Sequence, residues 1–81
     1  MLTGVRRDNP EGRIPESGEY GRDANGDWFG MTPNGHLAGL RLHDVTEHAD
    51  GTITVSPSIL VGRGAEQLWH GYLEHGFWRD C

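Results

Sequence analysis

The sequence predicts a mainly β protein: a small antiparallel meander of about five or six short strands with a flexible N-terminal arm. Two observations favour this fold class. Turn signals recur at short, regular intervals from Asp27 onward, and no segment keeps the 3.6-residue hydrophobic periodicity of an amphipathic helix. A chain of 81 residues forms at most one domain, with a marginal core, so that a partner or a bound metal would add useful stability.

Residues 1–26 are expected to form the flexible arm, and residues 27–81 the small β domain. Glycine, proline, serine and charged residues dominate the first segment, and its apolar residues stand singly. Such a composition offers too little apolar surface to offset the entropy lost when the chain is ordered. An arm that folds on a partner is the functional alternative.

The first predicted hairpin turns at residues 32–36 (TPNGH). Proline presets the first turn position and glycine accepts the left-handed third, which indicates a three-residue loop. Stepping outward pairs Met31 with Leu37 and Trp28 with Leu40, so that apolar side chains meet across the strands.

The second predicted hairpin turns at residues 48–52 (HADGT). A three-residue loop, 49–51, places Val45 opposite Val55, whereas a two-residue loop would place Val45 opposite Ser56. Cross-strand hydrophobic matching favours the three-residue loop.

The third predicted hairpin turns at His75 and Gly76, within residues 74–77 (EHGF). A two-residue loop pairs Leu73 with Trp78 and, farther out, His70 with Cys81. Residues paired directly across two strands share a face of the sheet.

Between the second and third hairpins, Pro57 marks an edge or a strand end because it cannot donate to the ladder. Residues 62–64 (GRG) are expected to form a loop.

Composition narrows the class of protein. The single cysteine excludes an internal disulfide, and no apolar run approaches the roughly 18 residues of a membrane span. The beginning of the chain lacks the apolar stretch of a signal peptide, so a cytoplasmic protein is expected, in the host cell if the chain is phage-encoded. The formal net charge is −5, with seven arginines and no lysine, which argues against sequence-independent nucleic-acid binding.

His70 and Cys81 are candidate metal ligands. Ligand atoms on a tetrahedral zinc lie roughly 3.5 Å apart, a separation that a directly paired cross-strand histidine and cysteine can reach. A structural site needs four ligands, so His43 is included as a third candidate, with His36 and His48 as alternatives to it. No cofactor is the first expectation, and zinc is the alternative.

The serines at residues 56 and 58 are expected to cap a strand end. A hydrolase would need a serine within reach of a base such as His70, an orienting carboxylate and an oxyanion hole. No nucleophile-elbow pattern is present, so the chain is predicted not to be an enzyme.

Aromatic residues supply most of the apolar mass. Strand alternation places Trp69, Leu73 and Trp78 on one face of the last hairpin, with Tyr72 and Phe77 on the other. A thin sheet cannot bury both faces, so the arm, another strand or a partner is expected to cover the second. The candidate partner-binding residues are the aromatic anchors Trp28, Trp69, Tyr72 and Trp78.

Residues 27–81 resemble a known family. The matching elements are EH (47–48), DGT (50–52), SPSI (56–59), WHGYL (69–73) with Gly76, and DWFGMTPNGHL (27–37). They resemble short proteins of bacteriophages and bacteria grouped as domain of unknown function 6527. Longer members resemble a zinc-ribbon-like module with cysteines ahead of the segment matching His70. This chain lacks those cysteines, so the resemblance leaves only His70 and Cys81 as ligands.

The first functional hypothesis is a small non-catalytic binding or accessory protein, encoded by a phage or prophage and acting on a host or phage protein. A metal-binding module built on His70 and Cys81 is the alternative. A protein partner is expected, self-association is left open, and neither nucleic acid nor a membrane is expected to bind.

Overall fold

Residues 2–81, the part of the chain described by the computed structural model, form nine β-strands and no helix, which confirms the mainly β fold class. The strands are β1 (Leu2–Thr3), β2 (Val5–Arg6), β3 (Glu19–Arg22), β4 (Trp28–Met31), β5 (Leu37–Gly39), β6 (Asp44–Glu47), β7 (Ile53–Arg63), β8 (Glu66–Glu74) and β9 (Phe77–Asp80). They build a five-stranded sheet in the order β1-β9-β8-β7-β6 and a four-stranded sheet in the order β2-β3-β4-β5. Adjacent strands are antiparallel except for β2 and β3.

The three predicted hairpins have the predicted registers. Their apolar cross-strand pairs are all present: Met31 with Leu37, Val45 with Val55, and Leu73 with Trp78. Gly35 and Gly51 take φ values of 88° and 86°, which close the two three-residue loops. His75 and Gly76 both have positive φ, 46° and 78°, as a type I′ turn requires. Local turn chemistry therefore determines the pairing of six strands, β4 to β9, into their hairpins.

Residues 2–26 differ from the expected flexible arm because they supply three strands to the two sheets. β1 lies beside β9 in the larger sheet, whereas β2 and β3 belong to the smaller one. Tyr20 in β3 is among the most deeply buried side chains of the core. β3 also pairs with β4, so no boundary separates residues 26 and 27. Strands of two to four residues need only one or two inward side chains, and the composition of the segment does not reveal them.

Gly4 lies where the chain passes from one sheet to the other. Its N–H donates to the carbonyl oxygen of Gly76 at 2.7 Å, and the next N–H, on Val5, donates to Gly18 at 3.1 Å. A Cβ atom on Gly4 would lie 2.8 Å from Nε1 of Trp78, closer than real Cβ atoms come to a neighbour. Only glycine therefore fits at this crossing.

Trp78 lies at the centre of the core, enclosed by both sheets. Its side chain is 1% exposed, and its indole N–H donates to the carbonyl oxygen of Gly18 at 2.9 Å. The ring of Trp69 meets it edge to face at a centroid distance of 5.5 Å. From the smaller sheet, Gly30 contacts the indole so closely that a Cβ atom there would lie 2.8 Å from its ring. The four-stranded sheet covers the face of the last hairpin that carries Trp78, which is the inner face. The opposite, outer face is therefore the second face, for which the sequence did not determine a cover.

The segment between the second and third hairpins differs from the prediction. β7 runs through Pro57 and includes Gly62 and Arg63, and the chain turns at residues 64–65. Between the positions that pair with Leu73 and Gly71, β7 has three residues, 56–58, where β8 has one. This bulge, which contains a cis peptide bond before Pro57, shifts the register of β7 against β8.

Arg6 joins the edges of the two sheets. Its guanidinium donates to Asp8 at 2.8 Å, to Glu47 of β6 at 3.0 Å, and to the carbonyl oxygen of Gly51 at 2.9 Å. Arg22 of β3 lies 3.9 Å from the same Glu47 carboxylate. The hydrogen bond from Arg6, followed by one from the backbone N–H of Arg22, lowers the pKa of Asp8 below its ordinary value.

Gly30→Ala is expected to lower the free energy of unfolding by about 1–3 kcal/mol, because the added methyl group would overpack the indole of Trp78. Urea unfolding followed by circular dichroism measures this change. Gly39→Ala on the neighbouring strand β5 is the matched control, since a Cβ atom there meets nothing within 4 Å; its effect should stay within about 0.5 kcal/mol. Equal effects of the two substitutions would contradict the described packing.

Asp8→Asn is expected to weaken the dependence of stability on acid pH. The pKa of Asp8 is lower in the folded chain than its ordinary 3.8, so the carboxylate stabilises the fold above that pH, and the contribution is lost as the pH falls through the folded value. Because the side chain is half exposed, the difference at neutral pH is less than about 1 kcal/mol. Urea unfolding at neutral pH and at about pH 2 tests this: the variant should be the less stable protein only at neutral pH. A difference of the same size at both pH values would contradict it.

Candidate functional site

The candidate site lies on the outer face of the five-stranded sheet, where β7, β8 and β9 run side by side. Along β8 the buried residues Trp69, Gly71 and Leu73 alternate with residues that point away from the core. His70 pairs with Leu60 of β7, and the backbone N–H of Cys81 donates to the carbonyl oxygen of His70 at 3.0 Å. The type I′ turn at residues 75–76 sets this register, and it brings imidazole and thiol together as the sequence predicts.

One ring nitrogen of His70 lies near both a thiol and a hydroxyl group. Its Nε2 atom lies 3.7 Å from Sγ of Cys81 and 2.9 Å from Oγ of Ser58. Ser58 reaches this position because the bulge in β7 places it beside β8. His70 is half-buried, whereas Cys81 is exposed.

His43 approaches the same place from the edge of the sheet without joining the pair. Its Nε2 atom lies 3.2 Å from the carbonyl oxygen of Ser58, and its Nδ1 atom is buried without a hydrogen-bond partner within residues 2–81. No group of three or more histidine, cysteine, aspartate or glutamate side chains in that part of the chain is arranged to hold a metal ion. The structure thus places the side chains of His70 and Cys81 at the separation expected of two ligands of one metal ion. His43 contacts Ser58 instead.

Ser58 and His70 are in hydrogen-bond contact, as a serine nucleophile and its base would be. Within residues 2–81 the imidazole of His70 makes hydrogen-bond contacts only to Ser58 and Cys81, so no carboxylate orients it. A serine nucleophile requires that third group and an oxyanion hole as well. The contact by itself does not amount to a catalytic set.

Two of the predicted binding anchors, Trp69 and Trp78, belong to the core. Their side chains are buried, and the indole N–H of Trp69 donates to the carboxylate of Asp80 at 3.0 Å. The expectation that these two rings present a binding surface is corrected, because the four-stranded sheet covers the face they occupy.

Trp28, the third predicted anchor, lies under two arginines. The guanidinium carbons of Arg22 and Arg6 are 4.2 and 5.0 Å from the centre of its ring. Both arginines also contact Glu47, so the half-buried indole is part of the contact between the sheet edges. Its contacts are those of a structural residue.

Tyr72, the fourth predicted anchor, lies on the outer face beside exposed apolar side chains. The guanidinium of Arg79 lies 4.5 Å from its ring centre and also bonds Glu74 at 3.0 Å. On the same face, Leu60 is 60% exposed and Phe77 is 42% exposed. We call Leu60, Tyr72 and Phe77 the outer apolar surface.

A stacked pair of histidines was not predicted from the sequence. The rings of His48 and His75 lie 3.7 Å apart with an interplanar angle of 10°. Both contact Oγ of Thr54: Nε2 of His48 at 2.7 Å, and the backbone N–H of His75 at 3.0 Å. In a meander, alternate turns lie at the same end of the sheet. The predicted topology therefore already makes the turns at residues 49–51 and 75–76 neighbours. The distance between them depends on the register of β7 against β8, which the bulge alters.

Comparison of the chain with protein-family models, with curated protein sequences and with solved structures finds no match. The fold therefore defines the class: a small all-β protein of two sheets around one core. The resemblance to domain of unknown function 6527 stays a prediction. No helix in residues 2–81 is long and apolar enough to cross a membrane.

The three indole N–H groups are expected to exchange with solvent at different rates. Exchange at Trp78 should be the slowest, because its N–H is buried and bonded to Gly18. Exchange at Trp28 should be the fastest, since no acceptor for its indole N–H is found within residues 2–81, and Trp69 should be intermediate. Two-dimensional ¹H–¹⁵N spectra recorded after transfer into D₂O measure the three rates. Trp78 exchanging as fast as Trp28 would contradict its place in the core.

Proposed function

We propose that this chain is a small non-catalytic binding protein, and that it contacts a protein partner through the outer apolar surface. The observation that carries the proposal is that Leu60, Tyr72 and Phe77 share one face of the larger sheet, and that no other strand within residues 2–81 covers this face. Tyrosine, phenylalanine and arginine are enriched at protein interfaces. Tyr72 with Arg79 over its ring provides two of these residue types in one place.

The family resemblance supports the biological setting of the proposal. It favours a phage or prophage origin and a host or phage protein as the partner, in the host cytoplasm. The acidic balance of the chain, −5, favours a partner with a basic surface, because complementary charge speeds association.

Replacing Leu60 and Phe77 together by serine is expected to weaken partner binding at least about tenfold, because anchor side chains at interfaces contribute about 2 kcal/mol or more. The chain immobilised as bait in a bacterial lysate recovers the partner, and titration with that purified partner then gives the affinity. Ile14→Ser is the control: it removes an exposed apolar side chain, 90% accessible, from the loop between β2 and β3. Recovery of no partner, or equal affinity of the double variant and the control, would contradict the proposal.

A metal-binding module is the second candidate function, and the separation of 3.7 Å between Nε2 of His70 and Sγ of Cys81 favours it. Ligand atoms on one tetrahedral zinc lie about 3.5 Å apart, as calculated from zinc–nitrogen and zinc–sulfur bonds of about 2.0 and 2.3 Å. The two side chains are therefore already spaced as ligands of a single ion. Only traces of zinc in the protein purified under reducing conditions would count against this function.

A further inference from the structure

His70 and Cys81 have the spacing of two of the four ligands in a tetrahedral zinc site, and we call this pair the half-site. Their ligand atoms are spaced for one ion, and both side chains lie on the open face of the sheet. The register of the β8–β9 hairpin fixes this spacing through backbone hydrogen bonds, so the two ligands are positioned before any ion arrives. A zinc ion bound by these two side chains would still have two open coordination positions.

The other histidines of the described chain do not complete this half-site. His43 lies on the carbonyl oxygen of Ser58, and His48 is stacked on His75 with its Nε2 atom on Thr54. Asp80, the acidic residue next to Cys81, accepts a hydrogen bond from Trp69 on the inner side of the sheet. Within residues 2–81 no third histidine, cysteine, aspartate or glutamate side chain, His36 included, joins His70 and Cys81 in an arrangement that could hold a metal ion, so the missing ligands would be those of another molecule.

We infer that zinc joins two copies of this chain, each contributing His70 and Cys81 to a single site with two histidine and two cysteine ligands. This inference rests on the metal-binding function proposed above. A two-fold axis through the ion would relate the copies, and such symmetry lets one pair of ligands serve twice. Two thiolates neutralise the charge of the zinc ion, so the completed centre adds no net charge between the partners.

Association of the two copies would depend on the zinc–ligand bonds themselves, since a centre without net charge does not offset the charge of the chains. Each chain carries a formal net charge of −5, and two such chains repel each other in the absence of a ligand. Zinc would release the hydrogen bond between Ser58 and Nε2 of His70 and take that nitrogen as a ligand. The outer apolar surface lies beside the half-site on the same face, so a second copy docked there would cover part of it.

The experiment measures mass and metal content together. The reduced chain is titrated with zinc and followed by native mass spectrometry, and a cobalt-substituted sample is followed by absorption for thiolate-to-metal charge transfer. The expected result is a monomer without metal, and with metal a dimer that holds one ion per two chains. Cys81→Ser, an exposed substitution with little effect on folding, should abolish both the dimer and the charge-transfer band, and His70→Gln should do the same.

His43→Gln and His36→Gln are the matched controls, and both should leave the dimer and its metal content unchanged. One zinc ion per monomer, lost in His43→Gln, would overturn the intermolecular site while keeping the metal-binding function. Absence of stoichiometric zinc would overturn both. A dimer that forms without zinc under reducing conditions and persists in Cys81→Ser would also overturn the inference.

Discussion

The packing of the Trp78 indole between the two sheets is the contact on which the rest of the structure depends. One side chain fills the space between the sheets, and its only polar atom bonds to the backbone of Gly18. Because the ring is so large, the surrounding backbone comes within contact distance, and Gly4 and Gly30 have no room for a side chain. The same residue belongs to the hairpin that positions Cys81 against His70. Core and candidate site therefore share one structural element.

Local chemistry made the hairpins predictable. At residues 32–36, 48–52 and 74–77 the turn residues allow few conformations, and apolar cross-strand matching selects one register. The pairing of His70 with Cys81 followed from the last of these turns, so this half of the candidate site could be predicted from the sequence. Histidine has only a moderate preference for positive φ. The prediction of the turn at His75 therefore also needed the cross-strand match of Leu73 with Trp78.

Long-range pairing could not be predicted in the same way. The strands of the first 26 residues are ordered by docking on the remainder of the domain, and a segment of single apolar residues gives no sign of that. The bulge at residues 56–58 likewise has no signature beyond Pro57, yet it decides which side chain of β7 meets His70. The aromatic residues were correctly divided between two faces. Which face would be covered depended on the N-terminal strands and on the sheet that they help to form.

The crossing at Gly4 constrains how this chain can change in length. A single residue separates two strand pairings at this crossing. Leu2 and Thr3 pair with β9 before it, and Val5 and Arg6 pair with β3 after it. An inserted or deleted residue at this point would reverse the facing of one strand, since neighbouring side chains in a strand point to opposite faces. The loop between Asn9 and Glu16 contributes to none of the nine strands, and an inserted residue beyond Arg13, whose backbone bonds the side chain of Asn9, would reverse no strand. Natural variation in length is thus expected to accumulate in that loop, while the spacing of residues 2–6 stays fixed.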